Sequence, residues 1–579
     1  MTAAVPGAGA PAWPVASLTD VQDRLTATGQ VYEIETVVIG GRPMRVWKNA
    51  PPTFRALLEA SRAHGDAPFV VFEDERVTHG AFFKAAAHLA YWLRGQGVGK
   101  GDRVAVAMAN LPEWPVAAFA AAALGAIIVP LNAWWTGREL RYGLADSGAC
   151  VLIADAERYQ RIEDYLPELP ALQIRVVSRA EAAPAGAFGL VDLIGGSSTW
   201  MNLSDVDLPA ADVGPDDPAT LFYTSGTTGD PKGALGSQRN ALTNPISSSY
   251  SLARSALRRG EEPASTAGRR TLMSIPLFHV TAFNASLLGA ILSGSLLVFM
   301  RKWDVIEAFR LIEQEKIQGA GGVPTIAWQL LEHPARGDFD LSSLDAIGYG
   351  GAPAASELVR RIAEEFGAAP NTGWGMTETS ATLTHHAAEE YLNRPASCGP
   401  ALPVSAIRIM LEDGVTEAAV GTVGELWASG PQIVKGYWNK PEATAATFID
   451  GWVRTGDLAR VDEEGFCYIV DRAKDVIIRG GENIYSAEVE GVLFEHPAVS
   501  DVAVVGVPHR ILGEEPAAVV VLSPGSAATE DELKLWVRSR LAVFKTPVRF
   551  LFSSSPLPRN ANGKLLKAEI RALLVAGQG

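Results

Sequence analysis

Two textures of hydrophobic and polar positions alternate along most of the chain. Short apolar runs recur: "FVVFEDE" from Phe69, "RVAVAMA" from Arg103, "AIIVPLN" from Ala126, "CVLIADA" from Cys150, "TLMSIPL" from Thr271 and "SLLVFMR" from Ser295. Stretches with helical spacing separate them. Continuous apolar runs of this length fit strands covered on both faces, and their alternation with helices predicts an α/β class with largely parallel sheets. After about Pro403 the texture changes to short alternating runs such as "VGELWASG" and "GFCYIVDR", joined by glycine and acidic turns such as "DEEG". These predict antiparallel β structure. Beyond Arg472 come "VSDVAVVGVPH", "PAAVVVLSPG", the helical "TEDELKLWVRSRLA", a further strand and a last helix. That order predicts a compact α+β module of about 100 residues, the size of a small domain. A boundary at "DRAKD", Asp471 to Asp475, divides the chain into a large domain, 1–473, and a small one, 474–579.

One segment raises the membrane question. "WPVAAFAAAALGAIIVPLNAWW", Trp114 to Trp135, carries no charge, and its length approaches the roughly 20 residues that span a bilayer. Pro115 and Pro130 bracket it, Gly125 splits it, and alanine, which contributes little to insertion, fills its first half. The expected reading is a buried helix, a tight turn and a short buried strand. The N-terminal "MTAAVPGAGAPAWPVASLTD" has neither a basic start nor an apolar core. It is expected to be a disordered tail reaching to about residue 30, not a secretory signal. The C-terminal Gly577-Gln578-Gly579 is no peroxisomal address.

The net charge of −15 argues against nucleic acid and anionic membranes as partners. Any anionic ligand therefore needs cations gathered locally. Cys150, Cys398 and Cys467 are odd in number and far apart. They offer no disulfide framework and suit a reducing cytoplasm.

Candidate chemistry begins at "YTSGTTGDPKGA", Tyr223 to Ala234, which follows an apolar run. Glycines allow tight turns and close ligand approach, hydroxyls and free N–H groups donate hydrogen bonds, and Lys232 adds a cation. The combination reads as a phosphate cradle, the plainer alternative being a flexible linker. Lys232 is followed by Gly233 instead of Ser or Thr, so it is not a Walker A loop, and it does not match G-x-G-x-x-G. In "NTGWGMTETS", Trp374 could stack on a base or be a buried core residue, and Glu378 could ligate Mg²⁺. "WVRTGDLA" places Asp457 at an expected tight turn, where a carboxylate can hold a ribose diol or simply cap the turn. Arg472 is a second ribose or phosphate candidate, or a surface ion pair. In "LPRNANGKLLK" the turn Asn562-Gly563-Lys564 presents a lysine at a loop tip. In "IPLFHVTAF", His279 lies in an apolar run, where a core histidine is the commoner finding.

In order, these segments and "YGGAP", "GYWNKPEATAATF" and "DRAKDVIIRGGENIYSAEVE" resemble the adenylate-forming superfamily of acyl-CoA synthetases, adenylation domains and luciferases. The likeness covers nearly all the chain after its first ~50 residues, far more than one motif can support. It implies a large domain of mixed sheets with flanking helices plus an antiparallel subdomain, and a small mobile α+β domain. It also implies ATP with Mg²⁺, CoA as co-substrate and an acid activated as acyl-AMP.

The same resemblance distributes roles. Thr224, Ser225, Gly226, Thr227, Thr228, Gly229 and Lys232 would hold the leaving phosphates. Gly350, Gly351, Ala352 and Pro353, with Gly373, Trp374, Gly375, Met376 and Thr377, would sandwich adenine. Asp457 and Arg472 would fix the ribose, and Asn483 joins the ATP contacts. Lys564, Glu378 and His279 are the catalytic candidates, with Glu378 on the metal. Lys474 is the hinge. Arg479, Gly480, Gly481, Phe544 and Lys545 would meet CoA. His279, Val280, Phe283, Gly322 and Gly373, with Gly321 nearby, would line the acyl pocket, and the bare side of Gly373 is expected to face it.

Amino-acid-activating relatives usually carry an aspartate in the segment matching "PLFHVTAF". None is present, so an unaminated acid is expected: a medium or long chain, or a bulky ring. Departures from the family pattern are Gln238, where histidine is common, Leu512, where tryptophan is frequent, Arg479, where a small residue is usual, and "SCGPALP". Loading of a carrier protein, a catalytically silent nucleotide-binding regulator and a homodimeric assembly stay open at this point.

Overall fold

The computed structural model describes residues 13–224, 230–351, 356–559 and 565–576. Two large sheets organise the first two-thirds of the chain. One has seven strands, with Arg103–Ala107, Ile127–Pro130, Val151–Asp155 and Ile174–Ser178 parallel at its centre. The hairpin Pro218–Tyr223 and Gly233–Ser237 closes one edge. The other has eight strands, with parallel Arg270–Met273, Leu296–Phe299, Gly319–Gly322, Ala346–Tyr349 and Ala369–Met376 inside two antiparallel edges. The apolar runs quoted above all lie on these strands.

Helices Glu113–Ala123 and His79–Gly95 sit in a core shared by both sheets, beside Val104 and Val106 of one and Val70 and Phe72 of the other. Every residue of Glu113–Ala123 is buried. That burial explains why the helix is apolar all round. Gly125 supplies the left-handed turn (φ 72°) into the buried strand Ile127–Pro130. The segment that tested the membrane question is therefore core, and among the described residues no helix is long and apolar enough to cross a membrane.

An antiparallel six-stranded sheet follows, built on Gly424–Ser429, Trp452–Val461 and Phe466–Arg472. The last sheet, with Val499–His509 and Gly513–Leu522 at its centre, has its own apolar core around Val502, Val504, Val520 and Phe550.

From residue 13 onward, the expectation of a disordered tail to residue 30 is corrected. Helix Leu18–Thr26 is capped by Ser17, whose side chain accepts from Asp20 N–H. Val21 and Leu25 are buried with Trp47 and Tyr250. A short amphipathic stretch inside an Ala/Pro-rich sequence is ordered here by the surface it covers, as tertiary packing commonly does for short helices.

Candidate active site

The hairpin neck brings the phosphate-loop ends together. Thr224 N–H donates to the Lys232 carbonyl at 2.8 Å, and Lys232 N–H donates to Thr224 Oγ1 at 3.2 Å. Ser225 to Gly229 lie outside the described residues, as do Ala352, Pro353 and Lys564. Two phenols anchor the neck: Tyr142 O–H donates to the Pro231 carbonyl (2.8 Å) and Tyr223 O–H to Asp146 Oδ2 (2.9 Å).

Lys232 Nζ lies 4.6 Å from the centre of the Tyr437 ring, a cation–π contact. The phenol of the same residue donates to Glu378 Oε1 at 2.5 Å. Burial, with the Glu378 charge beside it, pushes the Tyr437 pKa up, so it serves as a neutral donor. One side chain thus sets both the loop cation and the candidate metal carboxylate. Its motif, "GYWNKPEATAATF", was visible in the sequence, but this role was not.

Glu378 is buried and sits on a constrained turn. Ser380 (φ 50°) and Ala381 (φ 98°) both take left-handed backbone conformations. Such residues persist where the surroundings over-determine them. Here the side-chain amides of Asn244 and Asn284 both donate to the Ser380 carbonyl, at 2.8 and 2.9 Å. A Cβ on Gly375 would stand 1.6 Å from the Ala381 carbonyl oxygen, so only glycine fits there. Among the described residues no cluster of three His, Cys, Asp or Glu is placed to hold a metal, and Glu378 forms no ion pair. An unneutralised single carboxylate fits Mg²⁺, which retains waters and shares phosphate oxygens.

A cavity of about 2000 Å³ opens from Lys232 and Glu378 past Gly350, Gly351, Gly373, Trp374, Gly375, Met376 and Thr377 to His279, Val280 and Gly322. Arg472 and Lys474 stand on its wall, and burial lowers the Lys474 pKa. Its floor is one face of the eight-stranded sheet. Strand register places Gly319, Ala346 and Ala369 in one row and Gly321, Gly348, Asn371 and Ala387 in the next. Residues of the opposite face, Leu272, Ala320, Ile347 and Tyr349, pack into a core. Helix Gln238–Arg258 walls the cavity through Ser248, Leu252 and Ser255.

Several expectations change. Asp457 is not at a tight turn but within strand Trp452–Val461, and Gly456 (φ 69°) takes the strain of the irregularity. The carboxylate is buried, accepting from the Trp374 indole N–H at 2.8 Å, while Arg472 Nε lies 2.8 Å from its other oxygen as an ion pair. Trp374 therefore orients Asp457 as well as lining the cavity. Phe283 does not line the cavity: it is fully buried against Phe54, Trp114, Phe119 and Phe222. Asn483 is exposed on the hairpin Ile477–Arg479 to Glu482–Ile484 and is not on the cavity wall.

The bare side of Gly373 faces the neighbouring strand instead of the acyl space. A Cβ there would lie 2.5 Å from the Thr384 carbonyl oxygen and 3.2 Å from His385 Cδ2. Gly373→Ile is therefore expected to lower activity equally for short and long acids and to lower the melting temperature. Overpacking of this kind commonly costs 1–3 kcal/mol, roughly. A selective loss for long acids would show that the backbone shifts and the side chain enters the cavity.

A second, smaller cavity of about 610 Å³ lies in the last domain, lined by Arg479, Phe544, Lys534 and Arg538. It joins two CoA candidates with two cations that sequence reasoning missed, although Lys534 and Arg538 stand four apart on one helix. Lys545 is turned away to Glu488 (2.6 Å). Gly480 and Gly481 take left-handed conformations (φ 60° and 90°) at the hairpin tip.

Tyr437→Phe is expected to lower kcat/KM about tenfold. It keeps the ring under Lys232 but removes one hydrogen bond from a buried carboxylate, worth about 1–2 kcal/mol. Tyr437→Leu should lose more, since the cation–π contact goes too. Equal activity of the Phe variant and the parent in a pyrophosphate-release assay would remove Tyr437 from the site.

Residues 57–438 match the AMP-binding enzyme family, and residues 488–564 match the AMP-binding enzyme C-terminal domain. A feruloyl-CoA synthase of Amycolatopsis sp is 37% identical over 495 residues, 86% of this chain and 93% of that one. A long-chain-fatty-acid–CoA ligase of Mycobacterium tuberculosis is 34% identical over 500 residues, 86% and 93% of the two chains. The solved structure of o-succinylbenzoate CoA synthetase from Bacillus subtilis, in complex with its acyl-adenylate intermediate, superposes with a TM-score of 0.74. It is 30% identical and covers 90% of this chain and 98% of that one. Motif order, site geometry and these likenesses agree: the chain belongs to the AMP-binding enzyme family and is an AMP-forming acyl-CoA synthetase.

Proposed function

We propose that the acid this ligase activates is an unaminated carboxylic acid, either a medium or long chain or a bulky ring. The observation that carries the proposal is the state of the carboxylates on the cavity wall. Glu425 pairs with Arg454, Asp345 with Arg269, Glu261 with Arg259 and Glu262 with Arg24. Asp230 lies beside the phosphate loop and Glu378 beside Tyr437. Among the described residues no carboxylate is left around His279, Val280 and Thr281 to meet an ammonium, and burying one without a partner is costly. The glycine and alanine floor leaves room for bulk. The relatives named for feruloyl and long-chain fatty acids are compatible with both forms of acid.

The enzyme uses ATP with Mg²⁺, and CoA as acceptor. In the first half a carboxylate oxygen attacks the α-phosphorus and pyrophosphate leaves. In the second the CoA sulfur attacks the acyl carbon, AMP leaves and the thiol proton passes to solvent. Bound Mg²⁺ supplies positive charge to the phosphate oxygens. Bringing two anions together makes charge neutralisation the dominant need of the first half. Lys232 faces the leaving phosphates, Glu378 presents its carboxylate for the metal, and Lys564 bridges the carboxylate and the α-phosphate. Asp457 and Arg472 take the ribose, and Lys474, within Asp471 to Asp475, carries the hinge that withdraws Lys564 before the thiol enters. Arg479, Lys534 and Arg538 meet the anionic end of CoA.

The decisive assay follows pyrophosphate from purified protein, ATP and Mg²⁺ over a panel of acids, with and without CoA. Turnover with hydrophobic acids and none with amino acids is expected, with thioester formed only when CoA is present. Preferred turnover of an amino acid would sink the proposal.

A further inference from the structure

Two polar side chains stand together on the otherwise bare floor of the cavity. Register puts Asn371 opposite Ala387 and Gly373 opposite His385, so Asn371 and His385 are diagonal neighbours on one face. Diagonal pairs across antiparallel strands lie roughly 7–8 Å apart. Both line the cavity. Each lies in space that a glycine leaves open: a Cβ on Gly348 would stand 2.3 Å from Asn371 Oδ1, and one on Gly373 would stand 3.2 Å from His385 Cδ2.

The imidazole is held by its neighbours, and the nearer acceptor for the Ser251 proton assigns its tautomer. Its Nδ1 lies 2.7 Å from Ser251 Oγ. Arg254 donates to that same Oγ (3.4 Å) and to the His385 carbonyl (2.7 Å). A guanidinium only donates, so Ser251 accepts from Arg254, and of the two acceptors within reach of its own proton Nδ1 at 2.7 Å is nearer than the His385 carbonyl at 3.4 Å. With Ser251 donating to Nδ1 the ring hydrogen is assigned to Nε2, which has no protein partner among the described residues. Burial first, and the Arg254 charge second, push the His385 pKa down to about 4, so the ring stays neutral. Arg254 is itself locked by a buried ion pair with Glu390 at 2.8 Å. The Asn371 amide likewise takes no side-chain hydrogen bond among the described residues. The wall beside them carries Ser248, Ser255 and Thr382, and is not purely aliphatic.

We propose that Asn371 and His385 form a hydrogen-bonding subsite in the acyl half of the cavity, and that the preferred acid carries an accepting oxygen, as a ring hydroxyl, ether or ketone, far from its carboxylate. This rests on the acyl-CoA ligase reading of the same cavity. An unsubstituted alkyl chain would cover an imidazole N–H and an amide without satisfying either, and buried polar groups left unpaired are what make such sites reject the analogue. An oxygenated ring satisfies both and fills the glycine floor.

The test compares matched acids by pyrophosphate release: cinnamic acid against para-hydroxycinnamic acid, and decanoic acid against its keto derivative at the penultimate carbon. Wild-type enzyme is expected to favour the oxygenated member of at least one pair by roughly tenfold or more in kcat/KM. Asn371→Leu and His385→Leu should each bring that ratio to within about threefold of one, while His385→Gln, which keeps an N–H donor, should retain part of it. Turnover of the hydrocarbon member, which needs neither group, reports folding in each variant. A wild-type ratio near one in both pairs overturns the proposal, and so does a ratio unchanged in both Leu variants. Loss of both rates in a variant with an intact melting transition overturns the assignment for that residue. Absence of pyrophosphate with every acid would instead overturn the ligase reading, so the two failures are distinguishable.

Discussion

Lys564→Ala is expected to lower acyl-adenylate formation by about two to three orders of magnitude and to leave CoA attack on supplied acyl-adenylate within about threefold of wild type, on the scale seen when one preorganised donor is removed from a developing charge. The first half-reaction forces a carboxylate against a triphosphate on a chain that already carries a net charge of −15. Each cation at the reacting centre therefore matters. Lys232 is committed to the phosphate side by the hairpin neck and the Tyr437 ring. Arg472 is drawn to Asp457 at 2.8 Å. Lys564, in the last family motif, is the proposed cation between acid and α-phosphate. In the second half two anions no longer meet, and the same lysine would only obstruct the thiol. Single-turnover measurements of the two halves decide the matter: an equal fall in both would sink the assignment.

Glu378→Gln is expected to lower kcat/KM for Mg·ATP about a hundredfold and to raise the Mg²⁺ concentration needed for half-maximal rate, with the melting temperature nearly unmoved. The amide is isosteric and its oxygen can still accept from Tyr437, now 2.5 Å from Glu378 Oε1. The turn also keeps its shape, since it is held through the Ser380 carbonyl by Asn244 and Asn284 and not through the carboxylate. What goes is the single negative charge that a hard cation needs, a loss on the scale of a missing electrostatic contact in a water-poor site. Activity that falls without any change in Mg²⁺ dependence would mean that Glu378 does not touch the metal.

The candidate site was nominated from short contiguous motifs. The strand Pro218–Tyr223 that leads into "YTSGTTGDPKGA" was readable from its apolar run. The buried helix and strand of Trp114 to Trp135 were likewise readable, because proline, glycine and alanine act locally on backbone and burial. Asp457 was misplaced since "TGD" is turn-like in isolation, whereas pairing with Gly424–Ser429 and Phe466–Arg472 draws it into a strand. Phe283 was misassigned because an apolar residue beside His279 can face either a pocket or a core, and helical phase alone does not say which.

The sequence by itself determined the fold class and the order of the sheets, since these follow from hydrophobic period, and it nominated candidates for phosphate, metal and ribose through residue types and the family resemblance. Only the tertiary structure decided which groups act on one another. Tyr437 reaches Glu378 from 59 positions away, and Ser251 and Arg254 set the imidazole of His385 from across a helix–strand contact. Gly373 clears space for a neighbouring strand instead of a substrate because register, not composition, directs its missing side chain. The physical reason is the same in each case: hydrogen bonds and close packing act over a few ångströms in space, and the chain brings such neighbours together from segments whose local patterns carry no record of one another.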